Sequence, residues 1–424
     1  MIRTVPIAIV LCWAGILSEG YDIGVMGAIL PALATDQAWH LSPLQLGALG
    51  SWAIAGMFVG GIGIGTLSDL YGRKKLFVAS LVLFSLSMVG LAWSPTPSFF
   101  AAMRFIGGIG LGGIIPVAAA LTIEYSTPAK RASNYGLMYS GYTLGILMAA
   151  LVANAVLAQL GWRPVVLVGV IPLLLVPIVL AYMPESLDYL VASGQGARAS
   201  ALAGRLGRPI PVRRVADEQP GWFSSLGALW TPGRRGATAC FWVAIFMGLL
   251  LVYGLGTWLP QIMRRSGYDL GPSLLFLAVF ALSSAIGGVL MGEAADRKGT
   301  KAIVGLSYAV GGLAIAALTM KGSIVVTYVL VAIAGYGTVS TSLILTGFLT
   351  SFYPAAIRST ATGWAMSIGR LGAVCGPLLV GGLQEWGAGP EWSFYIFAIC
   401  AFIAATATLM VPSGQVVAGA IAAE

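Results

Sequence analysis

At 424 residues, 58% hydrophobic and only 9% charged, the chain has too few charges to dress a water-facing surface, which takes roughly a quarter of a soluble domain's residues. A mean hydropathy of +0.90 and 57 glycines point instead to lipid-facing helices packed closely through small residues. The net charge of +8 would suit a nucleic-acid binder, but the basic residues are sorted by loop and not gathered on one domain, so no nucleic-acid partner is expected.

Twelve apolar stretches are predicted to be membrane helices, at approximately 5–33, 43–67, 76–93, 98–122, 135–158, 164–183, 236–263, 271–293, 302–319, 324–350, 359–383 and 392–411. Each is long enough to cross the ~30 Å of hydrocarbon that about 20 helical residues span. Arg3 followed by Val5–Leu17 could pass for a secretory signal, but the apolar run continues without a convincing cleavage site, so it is read as a retained first helix. That first span contains GILSEGYDIGVMG (15–27), with the carboxylates Glu19 and Asp22. The only histidine, His40, falls in the loop after it. GTLSDLYGRKK (65–75) joins spans 2 and 3. Span 4 carries Arg104 in RFIGGIG and ends at Glu124, near Arg131. Its Gly108-x-Gly110-x2-Gly113 matches a dinucleotide fingerprint, but it lies mid-helix with no strand before it and is read as a helix-packing surface.

The loop 184–235 is rich in Arg, Gly and Pro and is expected to be a solvated, partly helical linker. It divides the chain into two six-helix bundles, 1–183 and 236–424. In the second bundle, GEAADRKGTK (292–301) joins spans 8 and 9, and GWAMSIGRLGAVCGP (363–377) sets Arg370 near the middle of span 11. The four cysteines, at 12, 240, 375 and 400, lie in apolar runs without ligand spacing and are read as inert. Of the 23 Lys and Arg, 17 fall on the N-terminal side of the membrane, four on the other side and two within spans, so both termini are expected to be cytoplasmic.

The sequence repeats. Gly65 and Gly292, Asp69 and Asp296, Arg131 and Arg358, and Gly136 and Gly363 are each separated by 227 residues. One offset aligning two motifs makes the halves parallel six-helix repeats. That architecture places a site between the halves in alternating-access transporters.

Charges inside spans cost about 2.5–3.5 kcal/mol each when they face lipid, so Glu19, Asp22, Arg104 and Arg370 are expected to face the bundle interior, pair or sit neutral. Glu19 and Asp22, three residues apart, share one helix face. Their mutual repulsion favours holding a proton between them, and with no histidine inside a span a proton relay must use carboxylates. Arg370 is either the partner of an anionic substrate or of an interior carboxylate. Tyr142, Tyr253, Trp258 and Trp364, with Tyr21, Trp52, Tyr139 and Tyr336, are candidate walls for a flat ring, though each could equally serve in packing or at the membrane interface.

The 65–75 segment, G-x3-D-x2-G-R-K-K, resembles the loop signature of the major facilitator superfamily. The resemblance implies an all-α integral membrane fold of twelve helices. It also implies a conformational switch braced on the cytoplasmic side by Gly65, Asp69, Gly72, Arg73, Glu124 and Arg131, with Asp296 and Arg358 as the weaker second copy. Physically, the glycines allow a tight turn, and Asp69 can pair with Arg73 or cap a helix. EGYDIGVMGAILP (19–31), PES (184–186), TWLPQIM (257–263) and GWAMSIGRLGAVCGP (363–377) are similar to segments of the aromatic acid:proton symporters. That likeness implies proton-coupled uptake of benzoate-like acids, with Glu19, Asp22 and Arg104 in proton coupling and Asp22 and Arg370 at the substrate. The chain departs from the family in having Glu19 where the family has Asp. A monomer in the inner or plasma membrane is expected, with a small anionic aromatic substrate, protons and the lipid bilayer as partners and neither cofactor nor metal.

Other readings fit less well. Drug antiporters usually carry G-x3-G-P in span 5, whereas here Gly141-x3-Gly145 lacks the proline and the motif stands in span 11 at Gly372, Gly376 and Pro377. A symporter of sugars or other metabolites would share PES. A membrane enzyme would need a nucleophile, metal cluster or cofactor site that is not evident, and a transporter-like receptor would bind without moving substrate.

Overall fold

The computed structural model describes residues 4–127, 130–206, 227, 229–320 and 322–412. Among them are twelve helices long and apolar enough to cross a membrane. In the first half these are α1 (Thr4–Leu33), α2 (Pro43–Tyr71), α3 (Arg73–Ala92), α4 (Pro97–Tyr125), α5 (Arg131–Leu160) and α6 (Trp162–Tyr182). Two short helices follow, α7 (Leu187–Ala192) and α8 (Gly196–Leu206). The second half holds α9 (Arg235–Arg265), α10 (Leu270–Lys298), α11 (Thr300–Ala317), α12 (Ile324–Phe352), α13 (Ala355–Glu385) and α14 (Pro390–Met410). Lipid cannot satisfy backbone N–H and C=O groups, so a single apolar run that crosses it must close its hydrogen bonds as a helix.

Two spans depart from uninterrupted α-helix. In α6, Val168–Leu174 tightens to a 3-10 helix around Pro172, which has no N–H to give to the α-helical ladder. In α12, Tyr336–Ser340 widens to a π-turn where α12 crosses α11; a Cβ on Gly337 would lie 2.5 Å from the Cα of Gly311. The expected partly helical linker contains α7 and α8, while its Arg208, Arg213 and Arg214 lie outside the described residues.

The chain forms two compact units, Met1–Leu41 with Trp52–Asp217, and Ser42–Ser51 with Glu218–Glu424. In the first, α1 and α5 meet backbone to backbone. A Cβ on Gly20 would sit 2.0 Å from the Tyr142 carbonyl oxygen, and one on Gly145 would sit 2.1 Å from that of Leu17. In the second, α9 and α13 form the same seam, where a Cβ on Gly372 would sit 2.1 Å from the Phe246 carbonyl oxygen. Gly145 and Gly372 are again 227 residues apart, so the repeat extends to these close helix contacts. The glycines of the 108–113 segment serve packing too, with Gly108 against Ala53 of α2 and Gly110 against Ser80 of α3.

Candidate functional site

The α1–α5 seam determines where the interior charges of the first unit point. Gly20 and Gly24 face α5, and at about 100° per residue Asp22, two positions from each, turns to the far side of α1. There it meets α4. Arg104 Nη1 donates to Asp22 Oδ1 at 2.5 Å and to the Asp22 carbonyl oxygen at 3.3 Å, and the two residues are 3% and 2% exposed. Arg104 is thus an interior cation with a carboxylate partner. The pairing uses one oxygen and one nitrogen. Asp22 Oδ2 and Arg104 Nε are buried without a hydrogen-bond partner among the described residues. Glu19 is fully buried, about 60° around α1 from Asp22.

In the second unit Arg370 lies at the middle of α13, half-buried, with Nη1 enclosed and without a hydrogen-bond partner among the described residues. The candidate ring residues occupy different environments. Tyr142 is buried on α5, its ring 5.9 Å from that of Tyr139, which stacks in turn on Tyr135 at 6.2 Å. Tyr253 is buried on α9, and Trp364 is half-buried and stacked on Trp242 at 6.2 Å. Trp258 is enclosed completely, and its indole N–H donates to the Pro377 carbonyl at 2.9 Å. In this structure it braces α9 against α13 and offers no surface to a ligand. Tyr21 likewise donates its hydroxyl to the Val165 carbonyl at 2.7 Å, anchoring α1 to α6.

A second cluster stands at the end of the first unit where the basic loops gather. Gly72 caps α3 with φ 106°, a conformation that strains any residue with a side chain, and a Cβ there would lie 2.6 Å from Glu185 Oε2. Glu185 Oε1 accepts the amide N–H of Lys74 at 3.0 Å and of Ser186 at 2.9 Å, so a carboxylate from the linker caps α3. Glu124, at the end of α4, caps α7 in the same way by accepting the N–H groups of Leu187 and Asp188. Its other oxygen accepts from Arg73 Nη1 at 2.8 Å, and Asp188 Oδ2 lies 3.7 Å from the same nitrogen. Tyr125 donates its hydroxyl to the Glu185 carbonyl at 2.6 Å.

The neighbouring Arg131 is exposed, and the ion pair that Glu124 forms is with Arg73, because the unsatisfied α7 amides draw its carboxylate to that side. The side chain of Asp69 lies outside the described set, and Gly65 has open space around it, with Pro116 Cγ 3.9 Å from a Cβ built there. In the second unit Asp296 is exposed and Arg358 Nε donates to the Tyr353 carbonyl at 3.2 Å. Sequence reasoning missed Glu185 as a cap. Its only signal was its place in PES directly after a span.

A profile of the Major Facilitator Superfamily matches residues 12–377 and again residues 273–419. The gentisate transporter of Corynebacterium glutamicum is 34% identical over 405 residues, covering 94% of this chain and 86% of that one. The benzoate transport protein of Acinetobacter baylyi is 32% identical over 389 residues, covering 88% of this chain and 82% of that one. Among solved structures, the xylose transporter XylE from E. coli, in a partially occluded inward-open conformation, is similar in fold with a TM-score of 0.76 at 20% identity, over 95% of this chain and 96% of that one. The chain therefore belongs to the Major Facilitator Superfamily, a multi-pass membrane transporter and not an enzyme, with aromatic acid transporters among its relatives.

Proposed function

We propose that this transporter imports small aromatic carboxylates together with protons by alternating access, across the inner or plasma membrane and with both termini cytoplasmic. The observation that supports this most is the buried Asp22–Arg104 pair, which leaves a carboxylate oxygen and a guanidinium nitrogen unsatisfied. Such a pair holds only while Asp22 is ionised. A proton arriving at Asp22, directly or through Glu19, abolishes the attraction. Loss of the proton restores an interaction whose rupture leaves a buried charge at about 3–5 kcal/mol. Proton binding and release therefore act on α1 against α4, with enough energy to bias a conformational equilibrium.

The substrate's carboxylate is assigned to Arg370, whose enclosed Nη1 is available to an anion, with Tyr142, Tyr253 and Trp364 as candidate ring contacts. Relatives named for benzoate and gentisate favour a ring acid as the cargo. The cluster of Gly72, Arg73 and Glu124 is proposed as part of the switch, holding α3, α4 and α7 together in one state. The protein is proposed to work as a monomer.

The test is uptake into proteoliposomes of substituted benzoates and of aliphatic acids, with and without an inward proton gradient. Accumulation of a ring acid driven by the gradient is expected, and Asp22→Asn should abolish accumulation against a gradient while permitting exchange. Normal pH-driven accumulation by that variant would sink the proton assignment, and equal uptake of aliphatic acids would sink the cargo.

A further inference from the structure

A cavity of about 390 Å³ in the first unit lies outside the interior site and opens where α3 begins and α6 ends. Lys74 and Lys75 enter it from the first turn of α3. From the other side α8 contributes Arg198 and Arg205, seven residues and about two turns apart, with Leu202 between them on the same stripe. A flanking face of α8 is anchored through Ala199 and Ala203, both buried, so the arginines belong to a docked helix. Against these four cations the lining holds one carboxylate, Glu185, and its Oε1 is engaged by the amides of Lys74 and Ser186. Lys74 Nζ donates to the Leu180 carbonyl at 2.7 Å and Arg198 to Gln195 Oε1 at 2.9 Å, both neutral acceptors, so the Glu185 carboxylate offsets only part of the positive charge. Lys75 and Arg205 make no ion pair among the described residues. Four like charges lining one open cavity raise its positive potential and favour an anion there.

The geometry points to a phosphate-binding site: we propose that this cavity takes a phosphate-bearing anion, supplied by the headgroup of an anionic phospholipid or by a soluble phosphate ester. The cavity's wall at Ala181 and Tyr182 is the end of α6, whose Ile171, Leu174, Ile178 and Leu180 form an exposed apolar surface of the kind lipid covers. A lipid lying along α6 would bring its headgroup to the cavity. Lys74 follows Arg73, and Tyr189, also in the lining, follows Asp188, so an occupant would tie α3 to α7 and α8 beside the Arg73–Glu124 contact. The site stands whatever the transporter carries.

The full-length protein in detergent, delipidated and then titrated with phosphatidylglycerol or phosphatidylcholine, tests the lipid source by native mass spectrometry. Glycerol 3-phosphate and inorganic phosphate, read by thermal shift, test the soluble source. The expected result is preferential retention of phosphatidylglycerol, weakened about five-fold by each of Arg198→Gln and Arg205→Gln, the factor one basic residue contributes near anionic lipid. Both side chains are exposed, so the variants should fold, and Lys75→Gln on another element provides an independent check. Stabilisation by glycerol 3-phosphate that the same variants remove, without lipid preference, supports the site with a soluble ligand. Phosphatidylglycerol retained equally by wild type and all three variants, or no response to any phosphate compound, overturns it.

Discussion

Two turns 227 residues apart share a backbone and differ in charge. Gly72 (φ 106°) and Gly299 (φ 90°) each begin a helix, α3 and α11, and neither helix has a side-chain cap from its own N-terminal residue. Around Gly72 stand Arg73, Glu124 and Glu185. At the positions related by the offset, the second copy has Thr300 for Arg73 and Ser351 for Glu124. The interior shows the same asymmetry. Asp22 and Arg104 correspond to Leu249 and Val331, and Arg370 corresponds to Thr143. What the fold needs, a tight turn and a glycine seam, is present twice. What chemistry needs is present once in each place, as expected if the halves divide the work, one handling the proton and the other the anion.

The largest test of that division compares two arginines within spans, Arg104 and Arg370. Arg104→Gln leaves Asp22 enclosed without its cation, and breaking one side of a buried pair costs about 3–5 kcal/mol. Its unfolding midpoint in mild detergent should fall well below wild type, with uptake lost. Arg370→Gln removes a group whose Nη1 has no hydrogen-bond partner among the described residues, so stability should change by under about 1 kcal/mol. Under the proposed role of Arg370, losing a charge-assisted contact to the substrate carboxylate, worth about 1.5–3 kcal/mol, should instead raise the KM of uptake by ten-fold or more. Equal destabilisation by the two variants would show that the halves do not differ in this way.

Next in size is the Arg73–Glu124 contact. Glu124→Ala removes the ion pair and the acceptor for two α7 amides, together about 1–3 kcal/mol, and should slow uptake about ten-fold. It should also speed proteolysis within 187–206. Ser351→Ala, which only removes a hydroxyl bonded to the Phe348 carbonyl of its own helix, should stay within about two-fold of wild type. A matching loss from Ser351→Ala would mean that the second turn acts as a latch without charges.

Much of this was legible in the sequence, and the limits are physical. The twelve spans were readable because lipid imposes length and hydropathy on each segment locally. Glu19, Asp22, Arg104 and Arg370 stood out because a charge in an apolar run has no bland environment. Partners were harder to read. Asp22 and Arg104 are 82 positions apart, and only the packing of α1 against α4 joins them. Proximity in sequence favoured Arg131 beside Glu124, but the free amides of α7 pulled the carboxylate the other way. Glu185 was an ordinary loop acid until the fold brought it over a glycine that cannot cap its own helix. The π-turn of α12 has no proline to announce it and stands where Gly337 meets Gly311 of a neighbouring helix, a contact remote in sequence.

The smallest effect separates backbone from surroundings at the two glycines. Alanine at either position must adopt positive φ, at a cost of about 1–2 kcal/mol. At Gly299 that is the whole expectation, because nothing lies within 4 Å of the added Cβ. At Gly72 the Cβ would also press on Glu185 Oε2 at 2.6 Å and Tyr189 Cε1 at 3.1 Å, displacing the carboxylate that caps α3. Loss of such a cap adds about 1 kcal/mol, so Gly72→Ala should destabilise by roughly twice as much as Gly299→Ala. Restoring room with Glu185→Asp should recover part of the difference at Gly72 and do nothing for Gly299→Ala. Equal shifts in the two glycine variants would mean that the turn's conformation alone matters, and that Glu185 contributes nothing to holding α3 in place.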